Sequence, residues 1–105
     1  MIPIASPEVS EEEKRRVEAV LDSGMIADGP EVRTFEDEFA AFCGTEYGVA
    51  SSNGTTALHT AFEALDIGEG DTVVTSPFSF VASANAIRLA GATPVFADIN
   101  PDTFN

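Results

Sequence analysis

The sequence is poor in the residues that most often carry chemistry or cation-driven binding. Its 105 residues include one cysteine, one histidine and a single lysine, Lys14. Cys43 has no intrachain partner for a disulfide, so a reducing, cytoplasmic setting is the expectation. Lys and Arg number 5 against 18 Asp and Glu, a formal charge of −13. Phosphate backbones are held chiefly by cationic contacts that release counterions, so this balance argues against a nucleic-acid partner. Gly, Pro or a charged residue interrupts every apolar run well short of the roughly 20 residues that span a bilayer, and no transmembrane segment is expected. The start, Met1-Ile2-Pro3-Ile4-Ala5, lacks the basic n-region and long apolar core of a signal peptide. No cluster of His and Cys has metal-ligand spacing. Neither a repeat, a low-complexity stretch nor a Gly/Ser linker divides the chain.

What remains is foldable. An apolar fraction of 44% with 8 phenylalanines is too rich for a disordered acidic tail, and implies one domain or part of one. The acidity is spread: residues 1–52 hold 4 basic and 12 acidic groups, residues 53–105 hold 1 and 6. Distributed negative charge keeps a protein soluble but opposes its compact state, and salt screens that repulsion. A salt-adapted protein is therefore one expectation, ordinary acidic solubility the other. On the first, the unfolding midpoint should rise from low to molar KCl; a midpoint indifferent to salt favours the second.

Hydrophobic spacing places the elements. Ser10 with Glu13 forms a capping-box pattern, and Val17, Val20 and Leu21 follow at helical spacing until Ser23-Gly24. Pro30 suits a first helical position, and Val32, Phe35, Phe39 and Phe42 share one face up to Gly44, which predicts a phenylalanine-lined core. The opposite, polar face carries Glu31, Glu36, Asp37 and Glu38. From residue 46 the pattern alternates. Tyr47–Ser51 reads as a short strand, Leu58, Ala61, Phe62 and Leu65 as a helical stripe, Thr72–Thr75 as a second strand, residues 80–90 as a helix and residues 94–99 as a third strand. This order predicts a helical segment over residues 1–45 and, over 46–105, the incomplete start of an α/β domain with a mostly parallel sheet and flanking helices.

In open α/β sheets ligands gather at the carboxyl ends of strands, where helix N-termini offer free N–H groups. Ser52-Asn53-Gly54-Thr55-Thr56 sits at such an end. Gly54 would admit an anion close to the backbone and the threonines would offer donors; Ser52 or Asn53 capping the helix is the competing reading. No Gly-Lys-Ser/Thr follows, so this is not a Walker loop. The turn Ser76-Pro77-Phe78-Ser79-Phe80 should open on the same sheet edge, where Phe80 could stack on a planar ring, although an isolated Phe more often belongs in a core. A Ser52, His59, Asp71 triad has no support in spacing, and Cys43 has an acidic neighbourhood unsuited to a reactive thiolate.

The runs Gly29-Pro30-Glu31-Val32, Phe35-Glu36-Asp37-Glu38-Phe39-Ala40, Ser52 to His59, Gly68-Glu69-Gly70-Asp71, Pro77 to Ala82 and Gly91 to Ile99 resemble the N-terminal part of the DegT/StrS-type sugar aminotransferases across essentially the whole chain. The resemblance implies the large domain of a fold-type I enzyme dependent on pyridoxal 5′-phosphate (PLP), usually a homodimer. Such an enzyme converts a keto group on a nucleotide-linked sugar to an amine, with glutamate or glutamine as donor. It implies that Gly54, Thr55 and Thr56 hold the cofactor phosphate and that Phe80 stacks on the pyridine ring. Asp98 matches a family acid other than the one that engages the pyridine nitrogen, and Gly29 matches a segment near the site entrance. The family's Schiff-base lysine and the acid for the pyridine nitrogen have no match here, so no catalytic residue is assigned and the chain reads as an N-terminal fragment. A related PLP-family sugar dehydratase or deoxygenase, and a non-enzymatic phosphate- or nucleotide-binding module, are the alternatives.

Overall fold

The computed structural model describes residue 3 and residues 5–105. They form two compact units, Met1–Ala50 and Ser51–Asn105.

The first unit holds α1 (Glu11–Ser23) and α2 (Pro30–Cys43). The capping box at the start of α1 is complete: the Glu13 N–H donates to Ser10 Oγ at 3.3 Å, and the Ser10 N–H donates to the Glu13 carboxylate. Those bonds hold the Glu13 carboxyl below the usual glutamate range. Gly24, at φ 72°, closes the helix in the left-handed conformation that glycine adopts without a Cβ clash. The chain then turns into α2, where Pro30 occupies the first turn and Arg16 Nε of α1 donates to Glu31 at 3.0 Å. Both partners of that ion pair are half-exposed, so it orients the two helices more than it stabilises them.

The α2 stripe departs from expectation. Phe35 and Phe39 lie with ring centroids 5.6 Å apart, and Phe39 and Phe42 lie 6.5 Å apart. All three are exposed, Phe42 at 85%, and only Ala40 of this helix is buried. Helical spacing correctly puts the rings on one face, but burial needs a second surface, and the described residues supply none.

Tyr47–Ser51 is likewise not a strand. A strand is defined by a neighbour's hydrogen bonds, and none of the described residues pairs with this segment. It keeps the two-residue alternation of a strand, with Gly48 and Ala50 half-buried and Tyr47 and Val49 exposed.

The second unit holds α3 (Gly54–Ala64), β1 (Thr72–Thr75), α4 (Ala82–Leu89) and β2 (Thr93–Phe96). The strands β1 and β2 pair in parallel, with Thr72 opposite Thr93 and Thr75 opposite Phe96. Strand β2 is shorter than the expected 94–99, although the Ala97 N–H still donates to the Thr75 carbonyl at 3.0 Å. The helix expected over 80–90 begins at Ala82 and leaves Phe80 ahead of it. α4 packs on both strands and on α3, and buries Ala86 and Ile87. Its end is a Schellman motif: Gly91, at φ 87°, donates to the Arg88 carbonyl while the Ala92 N–H donates to Ile87, 3.1 Å each. That turn delivers the buried Ala92 directly into β2. The fold is α/β with a small parallel sheet and flanking helices, and no helix among the described residues is long and apolar enough to cross a membrane.

Candidate functional site

The first turn of α3 brings Gly54, Thr55 and Thr56 together, and the side chain that caps it is Asn53. Asn53 has extended backbone, and its Oδ1 accepts the Thr56 N–H at 3.0 Å and the Thr56 hydroxyl at 3.2 Å. Its amide nitrogen donates to Ser52 Oγ at 3.1 Å, and Ser51 Oγ donates to its carbonyl at 3.2 Å. The competing reading of this turn, a cap, is thus part of the structure. It does not consume every donor. A helix leaves its first N–H groups unpaired, and here those of Gly54 and Thr55 have no acceptor among the described residues. The Thr55 hydroxyl is also uncommitted among them, while that of Thr56 is spent on Asn53.

The electrostatics of this turn favour an anion. α3 has no acidic residue in its first turn, so nothing there opposes the positive end of the helix dipole. A Cβ built on Gly54 would meet nothing within 4 Å, so the backbone at this point faces open space. Thr55 borders a depression whose other walls are Asn85, Arg88 and Leu89 of α4. Arg88 is the one basic residue in positions 53–105. Sequence reasoning did not find it, because it lies 33 positions beyond Thr55 and only the packing of α4 on α3 brings it there.

Phe80 lies elsewhere in this unit. It lines a depression with Ser76, Pro77, Ser79, Val81, Ser83, Ala84 and Phe96. Ser76 follows β1 and Phe96 ends β2, so this hollow opens at the carboxyl edge of the sheet. The ring is 78% exposed, which removes it from the core. The hollows at Thr55 and Phe80 share no lining residue, so the described structure does not unite the first turn of α3 and the aromatic in one pocket.

The weaker candidates are occupied locally. Ser52 accepts from Asn53, His59 faces Glu63 at 3.2 Å, and the Asp71 carboxylate accepts the Gly68 N–H at 2.9 Å. These bonds leave the Ser52, His59, Asp71 triad unassembled. Asp98 accepts the Ile99 N–H at 2.8 Å, and Cys43 is exposed in the last turn of α2. Among the described residues no group of three or more His, Cys, Asp or Glu side chains is arranged to hold a metal ion.

Residues 7–105 match the profile of the DegT/DnrJ/EryC1/StrS aminotransferase family. The spore coat polysaccharide biosynthesis protein SpsC of Bacillus subtilis is 47% identical over 104 residues, which cover 99% of this chain and 27% of SpsC. Among solved structures, an aminotransferase from Psychrobacter cryohalolentis superposes with a TM-score of 0.84 at 42% identity, over 93% of this chain and 26% of its own. Spr1654 of Streptococcus pneumoniae, known in apo, PMP and PLP forms, gives a TM-score of 0.89 at 35% identity, over 98% of this chain and 26% of its own. The chain therefore spans about a quarter of the length of the relatives it matches.

Proposed function

Because the chain belongs to the DegT/DnrJ/EryC1/StrS aminotransferase family, we propose that it supplies the cofactor-phosphate cradle and the ring-stacking aromatic of a PLP-dependent sugar aminotransferase. The family's fold is that of fold-type I PLP enzymes, and PLP is the cofactor expected of it. The substrate in this reading is a nucleotide-linked keto sugar, the amino donor is glutamate or glutamine, and the working form is a homodimer. A role in polysaccharide synthesis follows from the likeness to SpsC.

One observation carries the reading beyond family membership. In a chain of net charge −13, the first turn of α3 has no acid, two N–H groups and a hydroxyl uncommitted among the described residues, and an arginine across the adjoining hollow. These are the requirements of a dianionic phosphate at a helix N-terminus. The N–H groups of Gly54 and Thr55 and the Thr55 hydroxyl would hold the phosphate, and the open space at Gly54 would admit it. Thr56 would contribute through the cap, since Asn53 holds its hydroxyl. Phe80, exposed at the carboxyl edge of the sheet, would fix the plane of the pyridine ring. When bound, PLP supplies the electron sink for amino-group movement, while the protein orients it and excludes competing reactions.

The test is PLP retention in the intact polypeptide. Thr55→Ala removes a charge-assisted hydrogen bond worth roughly 1.5–3 kcal/mol, so PLP affinity should fall by about 10- to 100-fold. Thr56→Ala should have a smaller effect, since it loosens a cap and removes no phosphate contact. Phe80→Ala should lower turnover without abolishing it, because stacking orients a ring and moves no proton. Cofactor occupancy equal to that of the unmodified protein in all three variants removes these residues from the site.

A further inference from the structure

Phe80 can fix the plane of another ring only if its own backbone is fixed, and its side chain contributes little to that. The ring is exposed and pairs with no other aromatic ring among the described residues. The helix behind it does not begin on a side-chain cap. Val81, just ahead of α4, has helical backbone at φ −55° and ψ −22°, and no side chain caps the turn, whereas at α3 Asn53 accepts the Thr56 N–H. An uncapped helix end frays, and the residue ahead of it moves with it. Ser83 supplies what a cap would. Its N–H donates to the Phe80 carbonyl at 3.1 Å, and its Oγ lies 3.2 Å from that of Ser79, the two hydroxyls sharing one hydrogen bond. One residue thus holds the chain at the carbonyl of Phe80 and at the residue before it. Ser83 is itself anchored: half-buried in the first turn of α4, it lines both the hollow at Phe80 and an inner one with Val73 of β1 and Ile87, which is 1% exposed. All of these residues belong to the second unit.

We propose that Ser83 is a positioning residue for Phe80: its hydroxyl, bonded to that of Ser79, stands in for the missing cap of α4 and holds the backbone that aims the ring. The inference rests on the ring-stacking reading above. It assigns Ser79 and Ser83 no contact with cofactor or substrate. The main-chain bond from Ser83 to Phe80 needs no side chain, so the hydroxyl pair is the part that a substitution removes.

The test compares the affinity of the intact apo polypeptide for pyridoxamine 5′-phosphate with that for inorganic phosphate, measured by competition between the two. The first ligand adds a pyridine ring to the second and has no aldehyde to react with a lysine, so the ratio isolates the non-covalent contribution of the ring. A change in the fraction of folded protein alters both apparent affinities equally and cancels from it. Alanine is moreover a better helix former than serine, so Ser83→Ala does not weaken α4 by propensity. Ser83→Ala should lower the ratio about fivefold, the scale of one neutral hydrogen bond, and Ser79→Ala should do the same. The double variant should lower it no further, because both changes remove one and the same bond. Ser83→Thr keeps the hydroxyl and should restore the ratio to within about twofold. With Phe80 already replaced by alanine, Ser83→Ala should have no effect. A ratio unaffected by both single serine variants overturns the proposal, as does a Ser83→Thr variant no better than Ser83→Ala, or an effect of Ser83→Ala that persists without the Phe80 ring. If Phe80→Ala alone leaves the ratio unchanged, the stacking reading itself fails, and the role of Ser83 falls with it.

Discussion

The 105-residue chain, given PLP, an amino donor and a keto acceptor, is expected to transfer no amino group. Transamination through PLP needs a lysine amine that is neutral when it attacks the cofactor aldehyde and can later move protons at the substrate carbon. Enzymes obtain such an amine by burying it or by placing another cation beside it. Lys14 is the sole lysine; it is not buried, and the cations next to it in the sequence, Arg15 and Arg16, are paired with Glu12 and Glu31. Its side chain is 54% exposed on α1, and its Nζ lies 2.5 Å from the Glu11 carboxylate, with Glu12, Glu13 and Glu18 on the same helix. An exposed lysine held against a carboxylate is poorly placed to attack an aldehyde. In the reading proposed above, the turn at residues 54–56 and Phe80 would bind and orient the cofactor, but neither offers an amine. Borohydride reduction at stoichiometric PLP, followed by peptide mapping, should therefore give no adduct confined to one site, and amino transfer assayed in parallel should be at background. A specific adduct on Lys14 accompanied by turnover overturns this expectation.

The elements that sequence foretold are those whose causes are local. Ser10 and Glu13 specify the start of α1 by reciprocal bonds three residues apart, and Pro30 and Gly44 bound α2 by their own backbone preferences. Thr72–Thr75 was legible because turn chemistry at Gly70 and Asp71 precedes it and an eight-residue helix with a glycine exit returns the chain to pair with it. What misled was everything that needs a partner. The phenylalanines of α2 have the spacing of a core face without the covering surface, and Tyr47–Ser51 has the alternation of a strand without the ladder. The candidate site divides in the same way. Gly54 and Thr55 were readable because a helix N-terminus after a small polar turn announces its free donors. Arg88 beside Thr55 is a product of packing, 33 positions away along the chain, and no local pattern announces it.

The same shortage of partners sets the stability of the chain, and a cooperative melt is not expected of the 105 residues alone. The buried apolar residues among those described are Ala40, Ala86, Ile87 and Ala92, and only Ile87 of these has a large side chain. Full burial of such a side chain contributes about 1.5–3 kcal/mol, whereas ordering each residue's backbone costs about 1–2 kcal/mol, so a core this small cannot hold a domain of this length. The sheet offers little more. Two short parallel strands need a covered surface to persist, and Val74, Val95 and Phe96 remain exposed on theirs. Among the described residues twenty large apolar ones are exposed, Phe35, Phe39 and Phe42 in one row, which is an invitation to association. Net charge of −13 opposes that association at low salt and loses its effect as salt rises. The isolated chain should therefore bind an apolar dye strongly, unfold over a broad temperature range, and gain mass in sedimentation as KCl and concentration increase. A sharp, reversible two-state melt of a monomer, with calorimetric and van't Hoff enthalpies equal, would show that the buried set is sufficient and overturn the argument.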